Sequence, residues 1–214
     1  MNTFGPRFFG GEKRGYHHGH LKEALLEAAR YLAAERGPSG FTLAEAAKMV
    51  GVTPAAPYRH FRDRDTLLAD VARRGFELFA ERLAAAWDEG KPTPLPALQR
   101  LGRAYLDFAR AEPAYYAAMF EAGLPIANHA DYRAASEKAF GILKMACDAV
   151  VAAMPQATRP PAMMMALHIW SLSHGVASLF ARGDSARRPL PMPAEDLLEA
   201  GVMIYLDGLG ARPE

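Results

Sequence analysis

Residues 41–64, FTLAEAAKMVGVTPAAPYRHFRDR, constrain this chain more than any other stretch. Thr42 is placed to cap a helix through its side-chain oxygen, and Leu43, Ala46, Ala47 and Val50 follow as apolar positions at helical spacing. Gly51 falls where that helix must stop, because glycine takes up a left-handed backbone without a Cβ penalty. Val52 plugs the turn. Thr53-Pro54 is a second start signal, an N-cap followed by a residue whose missing N–H costs nothing there. Two short helices about a glycine turn make a helix-turn-helix, a module whose second helix enters the DNA major groove.

The flanking sequence supplies what such a module needs. A first helix is expected over about His20–Arg36, with Leu21, Leu25, Ala28, Ala29 and Leu32 as its stripe and Gly37-Pro38 as its end, completing a three-helix headpiece. Asp63 caps a long helix reaching about Trp87, with Leu68, Val71, Gly75, Phe79, Leu83 and Ala86 on its buried side. Gly75 in mid-helix costs roughly 1 kcal/mol relative to Ala, so a close contact or a bend is expected there. Gly90–Pro96 reads as a break between headpiece and body. Further helices are expected at about 95–110, 113–122, 128–153, 160–182 and 193–209, with no alternating β-branched run to argue for a sheet. The expected fold is all-α with about nine helices: a flexible arm over 1–15, a helix-turn-helix domain over 16–75, and an effector-binding and dimerisation domain over 76–214.

Charge and cysteine content narrow the function. Residues 1–75 carry twelve Lys/Arg against eight Asp/Glu, and residues 76–214 carry thirteen against sixteen. A basic front half suits a polyanion. A single cysteine, Cys147, excludes an internal disulfide framework and fits a reducing compartment, so a cytoplasmic location is expected. The uncharged run Pro161–Ala181 is long enough to span a bilayer, but it holds His168, Ser171, Ser173, His174 and Ser178, which are expensive in lipid. It is expected to be a buried helix of a soluble protein, with no membrane partner. There is no Gly-rich phosphate loop, no His-Glu-x-x-His and no nucleophile motif, so an enzyme is not expected.

Gly51-Val52-Thr53, Tyr58-Arg59-His60-Phe61 and Arg64-Asp65-x-Leu67 resemble the headpiece of TetR-type (tetracycline-repressor-like) regulators, whose pattern is GV[ST]xxxxYxHFxxK[ED]xL. Arg64 replaces the usual Lys. Pro57 removes one N–H bond to the Thr53 carbonyl and must tilt the first turn. The resemblance implies DNA binding, and the residue chemistry agrees. Tyr58, Thr42 and Thr53 offer hydroxyls to phosphates near helix N-termini, and His60 and Arg64 are placed to clamp the backbone. Thr53, Pro54, Ala55 and Ala56 remain for apolar contact with thymine methyls, with Arg59 able to address guanine.

A repressor headpiece must act in pairs about a two-fold axis, spaced roughly 34–36 Å or a multiple, so the partners expected are a palindromic double-stranded operator and a second copy of the chain. Leu167, Ser171, Ala177, Ser178 and Ala181 on one helix, with Leu198, Val202 and Tyr205 on the last, are the expected dimer interface. Trp170-x-x-x-His174-Gly175 also resembles the Trp-His-Gly signature of the WHG-type C-terminal domain, a subset of the TetR type, as does Tyr16-His17-His18-Gly19. The resemblance implies an effector-binding body. Tyr105, Phe108, Tyr115, Tyr116, Met119, Phe120, Met145, Met163, Met164, His168, Trp170 and His174 are its candidate pocket residues, suited to a hydrophobic or aromatic small molecule. No cofactor or metal is expected. The alternatives are a metal- or redox-responsive regulator using His17, His18, His20 and Cys147, a DNA-binding protein without effector, and a small-molecule binding protein without DNA control.

Overall fold

The structure, a computed structural model, describes residues 18–181 and 191–209. The arm over 1–15, Tyr16-His17, most of the loop 183–193 and the side chain of Ala181 lie outside the described residues. Eight α-helices are present among those described: α1 (His18–Arg36), α2 (Leu43–Met49), α3 (Arg64–Trp87), α4 (Pro94–Ala111), α5 (Pro113–Phe120), α6 (Ala130–Ala153), α7 (Ala162–Ala181) and α8 (Ala194–Gly208).

The ninth expected helix is a single 3₁₀ turn, Ala56–Arg59. Pro57 is the cause. It has no N–H for the Thr53 carbonyl, so that carbonyl accepts from Ala56 at 3.0 Å and the chain tightens to three residues per turn. The Pro57 carbonyl in turn accepts from His60 and Phe61, each at 2.9 Å. Ala55, not Thr53, precedes this turn, and no side chain caps it.

Both other start signals in the opening stretch form as expected. At α2 the Glu45 N–H donates to Thr42 Oγ1 (3.2 Å), while the Thr42 N–H donates back to Glu45 Oε2 (2.8 Å), a complete capping box. At α3 an Asp63 carboxylate oxygen accepts from the Thr66 N–H and the Thr66 hydroxyl, both at 2.7 Å. Those bonds, with the Arg62 guanidinium beside them, hold the Asp63 carboxyl down at about 2.

α3 is the axis of the molecule. Its buried positions include Leu68, Val71, Gly75, Phe76, Phe79 and Leu83, and it packs against α1, α4, α5 and α6. Gly75 is a point of close approach: a Cβ there would stand 2.7 Å from Met119 Sδ and 3.0 Å from Tyr115 Cβ of α5. Lys22–Asp70 (2.7 Å) and Arg74–Glu23 (2.6 Å) tie α3 to α1, and Arg82–Glu112 (2.7 Å) ties it to the start of α5. Because α3 runs unbroken to Trp87, the Gly90–Pro96 segment does not separate headpiece from body. It is a reversal between α3 and α4, held by Arg100, which donates to the carbonyls of Ala86 (2.9 Å) and Lys91 (2.5 Å).

α7 has the length and hydropathy of a membrane-crossing helix, but one side is packed within the chain against α4, α6 and α8. The expectation of a buried helix holds for that side only. Met165, Ile169, Ser173, Val176 and Ala177 are buried, whereas Met164, Leu167, Ser171, Gly175 and Leu179 are exposed.

The Asp63 cap gives a direct check on this architecture. Its folded-state carboxyl lies below the ordinary 3.8, so its contribution is present above pH 4 and is lost as the pH falls towards 2. The side chain is partly solvated, so Asp63→Ala is expected to cost about 1 kcal/mol at neutral pH. In urea unfolding, the gap between wild type and variant should shrink as the pH is lowered from 4 to 2.

Candidate nucleic-acid interface and ligand cavity

The 3₁₀ turn sets out the residues at the tip of the headpiece. Thr53, Pro54, Ala55 and Arg59 are exposed, and Tyr58 is 62% exposed with its hydroxyl in solvent. All five are open to solvent within seven consecutive positions, 53–59. The other candidates are differently placed. Ala56 packs against the core, so it offers little to a base edge. Thr42 donates its hydroxyl proton to Glu45 Oε2 (3.0 Å), and Glu45 is also held by Arg36 (2.9 Å). That hydroxyl is therefore committed to the cap. Arg64 forks onto Asp65 (3.1 and 2.9 Å) and reaches the Ser39 carbonyl (3.4 Å), which ties the start of α3 to the loop after α1.

His60 is half-buried and turns away from the tip, lining a polar cleft of about 610 Å³ between α3 and the start of α6, beside Asp70, Arg73 and His129. Two exposed cations on the headpiece, Lys48 and Arg62, fall outside the motif positions. Their only signal is charge, and Arg62 is paired with Asp63 (2.9 Å).

The body holds a partly open cavity of about 490 Å³ walled by α3, α4, α6 and α7, with α5 and the segment after it along one side. Four candidate pocket residues line it: Tyr105, Met119, Phe120 and Trp170. The helix α3 contributes Phe76, Phe79 and Leu83, and α6 contributes Tyr132, Ser136, Ala139, Phe140 and Leu143. Sequence does not distinguish these from ordinary core, because a cavity wall has the same helical periodicity as a packed stripe. Leu167, expected at a dimer interface, also lines the cavity and is 44% exposed.

The remaining candidates lie elsewhere. Phe108 is fully packed core against Phe79 (ring centroids 4.8 Å). Tyr115 faces α1 under the Arg30 guanidinium, 5.7 Å from its ring centre. Met145, Met163 and Met164 are on the surface. His168 is exposed, its Nδ1 3.1 Å from the Tyr205 hydroxyl, so a pocket candidate and an interface candidate are paired with each other at the α7–α8 junction.

Tyr116 and His174 sit behind the cavity wall. His174 Nδ1 is 2.9 Å from the Tyr105 hydroxyl and 3.0 Å from the Tyr116 hydroxyl. The imidazole lies among rings, with centroids at 4.9 Å (Phe120), 5.7 Å (Tyr116) and 5.8 Å (Trp170). Burial moves His174 below its ordinary 6.5, towards the neutral form, against a smaller pull from Glu121. Burial also pushes the Tyr105 phenol upward, so that hydroxyl keeps its proton. The cluster is thus an uncharged polar relay, and only its Tyr105 and Trp170 ends reach the cavity.

The expected interface residues divide in the same way. Ser171 is exposed and Ser178 and Tyr205 are half-buried, but Ala177, Leu198 and Val202 are buried inside the chain and cannot meet a partner. On a helix as uniformly apolar as α7, periodicity does not say which side faces inward. Leu198 is held by α4, where it packs over Gly102 (3.1 Å to an added Cβ). Ion pairs Arg103–Glu199 (2.8 Å) and Arg110–Glu195 fasten α8 to α4. Cys147 is fully buried and its thiol is pushed up to about 12, which makes it a poor nucleophile or metal ligand. Among the described residues no three His, Cys, Asp or Glu side chains converge as a metal site; His17 and the side chain of His18 lie outside them.

The His174 cluster generates a pH test. Its folded-state pKa is depressed, so its contribution is present above the unfolded value of 6.5 and falls away as the pH drops below it. The urea midpoint of the wild type should therefore decline from pH 7 to 5. His174→Phe should have a lower midpoint at pH 7, since two buried hydroxyls lose a partner, together with a flatter pH profile.

Comparisons with known proteins agree with this geometry. Residues 25–71 match the family model of the bacterial regulatory proteins of the tetR family. Residues 98–204, half of the chain, match the tetracyclin repressor-like C-terminal domain. YobS, an uncharacterized HTH-type transcriptional regulator of Bacillus subtilis (strain 168), is 31% identical over 100 residues, 47% of this chain. The chain spans about half the length of that relative, 51%. A structure of a protein with unknown function from Rhodococcus sp. RHA1 is 27% identical and superposes with a TM-score of 0.73 over 92% of this chain and 98% of its own. PfmR, a TetR family transcriptional regulator from Thermus thermophilus, is 20% identical with a TM-score of 0.64 over 86% of this chain and 96% of its own, a likeness of fold alone. With a helix-turn-helix at its front and a tetracyclin repressor-like body behind it, the chain belongs to the TetR family of DNA-binding transcriptional regulators.

Proposed function

We propose that the chain is a cytoplasmic, homodimeric repressor, released from a palindromic operator by a small hydrophobic or aromatic effector held in the 490 Å³ cavity. The observation that carries this reading is the double duty of α3. It begins at Arg64, directly after the recognition turn, and its Phe76, Phe79 and Leu83 form one cavity wall. A ligand that repacks those rings moves the helix on which the headpiece stands. Such coupling is worth at most the ligand's preference for the non-binding conformation, typically about 1–3 kcal/mol.

The domain division at about residue 75 fits a lever of this kind, with α3 crossing it. Thr53, Pro54, Ala55, Tyr58 and Arg59 are the contacts to DNA, with Thr42 and Arg64 in support through the backbone they fix. Dimerisation uses the open side of α7, from Met164 through Leu167, Ser171 and Gly175 to Leu179, together with Ile204 of α8, which is 73% exposed. This apolar face is larger than isolated surface residues require and suits an isologous helix pair. Trp170, His174 and Gly175 support placing the body in the WHG subset, with the Trp170 and His174 rings 5.8 Å apart.

Mobility shifts across a salt series test the DNA assignment. Tyr58→Phe with Arg59→Ala is expected to weaken operator binding by at least about tenfold and to reduce the slope of log affinity against log salt by about one. Unchanged operator affinity in that double variant would exclude this tip as the DNA contact. A compound that occupies the cavity should weaken operator binding at least about fivefold. Equal operator affinity with and without it would exclude effector release.

A further inference from the structure

The cavity wall contains no charged side chain among the described residues. Several charges close to the wall in sequence are directed elsewhere. Arg103, next to Gly102, pairs with Glu199 at 2.8 Å. Lys138, two residues from Ser136, lines the separate polar cleft beside α3. Arg82, next to Leu83, is tied to Glu112. Behind Tyr105, burial keeps His174 towards its neutral form, so the relay brings no cation to the wall either. A carboxylate or an ammonium entering this space would give up part of its hydration to apolar surface and meet no charged side chain in the wall.

The polar side chains that line the cavity are nearly all engaged. The Tyr132 hydroxyl donates to the Met119 carbonyl at 3.0 Å, and the Ser173 hydroxyl donates back to the Ile169 carbonyl at 2.9 Å. The Tyr105 hydroxyl is held by His174. Ser136 differs. It is half-buried in the wall, does not bond back to its own helix as Ser171 and Ser173 do, and has no protein partner among the described residues. A hydroxyl in mid-helix facing an apolar space keeps its proton available to an acceptor that enters that space.

Building on the cavity as the effector site, we infer that the effector is uncharged in its bound form and carries a hydroxyl or carbonyl oxygen that accepts a hydrogen bond from Ser136. The wall thereby selects by charge first and by shape second. An acid or amine on the same apolar skeleton is rejected because nothing in the wall replaces its hydration. A neutral molecule with one oxygen is retained because it satisfies the hydroxyl that the fold leaves open.

Titration calorimetry on the full chain near neutral pH, with matched probes on two skeletons, tests this. The first set is 1-octanol, octanoate and octylammonium; the second is 2-naphthalenemethanol, 2-naphthoate and 2-naphthylmethylammonium. On each skeleton that binds, the alcohol should bind at least about tenfold more tightly than either ion. Ser136→Ala should weaken the alcohol about fivefold, within the range of one hydrogen bond, with the ions unaffected. Ala139→Leu and Leu143→Phe, which fill the cavity from two positions, should abolish binding of every probe, with folding checked by circular dichroism. Binding of an ion as tight as that of its alcohol would overturn the inference, as would binding by no probe on either skeleton. An alcohol indifferent to Ser136→Ala would overturn the anchor. Operator release by an ion would refute the charge assignment and leave effector control standing. Tight, Ser136-dependent binding of an alcohol with unchanged operator affinity would do the reverse.

Discussion

The close approach of α3 and α5 at Gly75 is the contact on which the rest of the molecule depends. A methyl group at Gly75 would stand 2.7 Å from Met119 Sδ and 3.0 Å from Tyr115 Cβ, so α3 and α5 pack closely there and displacement of one presses on the other. On one side of this contact Met119 and Phe120 line the cavity. On the other, Tyr115 lies beneath Arg30 of α1, and Arg74, the neighbour of Gly75, pairs with Glu23 of the same helix. A close-packed interior transmits displacement well, and here the packed units are whole helices with a ligand-sized space at one end and the recognition turn at the other.

The two ends of α3 use opposite electrostatics. At the headpiece end charges are plentiful and mutually paired: Lys22 and Arg73 on Asp70, Arg36 on Glu45, and Arg64 on Asp65. Those pairs lie near solvent and contribute little energy each, but they hold the helices that present Tyr58 and Arg59. At the cavity end every polar group in the wall is neutral, and the imidazole of His174 is buried among rings with its Nδ1 near two tyrosine hydroxyls. The proposed DNA surface offers charge and exposed hydroxyls, and the cavity offers apolar surface with a few oriented hydrogen bonds.

Much of this is legible in the residues where the governing interaction is local. Thr42 with Glu45, and Asp63 with Thr66, cap their helices through partners three residues away, so sequence spacing alone places them. Pro57 announces a disturbed turn for the same reason, although its full consequence, a 3₁₀ turn in place of the recognition helix, depends on which N–H replaces its own. Long-range placement is harder to read. Phe76, Phe79 and Leu83 have the periodicity of core and in fact border a space, a distinction their own spacing does not carry. Tyr105, Met119, Phe120 and Trp170 do line the cavity, while Met145, Met164 and His168, of similar chemistry, are on the outside. Ala177, Leu198 and Val202 face inward because the phase of an all-apolar helix is decided by its neighbours and not by its own sequence.

The central claim is that occupancy of the cavity is felt at the recognition turn through α3. Amide hydrogen exchange on the full chain, free and saturated with a cavity ligand, tests it most directly. The account predicts slower exchange across the cavity wall at 76–83 together with a change of either sign at 56–66, where the recognition turn meets the start of α3. Protection confined to the cavity wall, with exchange at 56–66 identical in the two states, would contradict it.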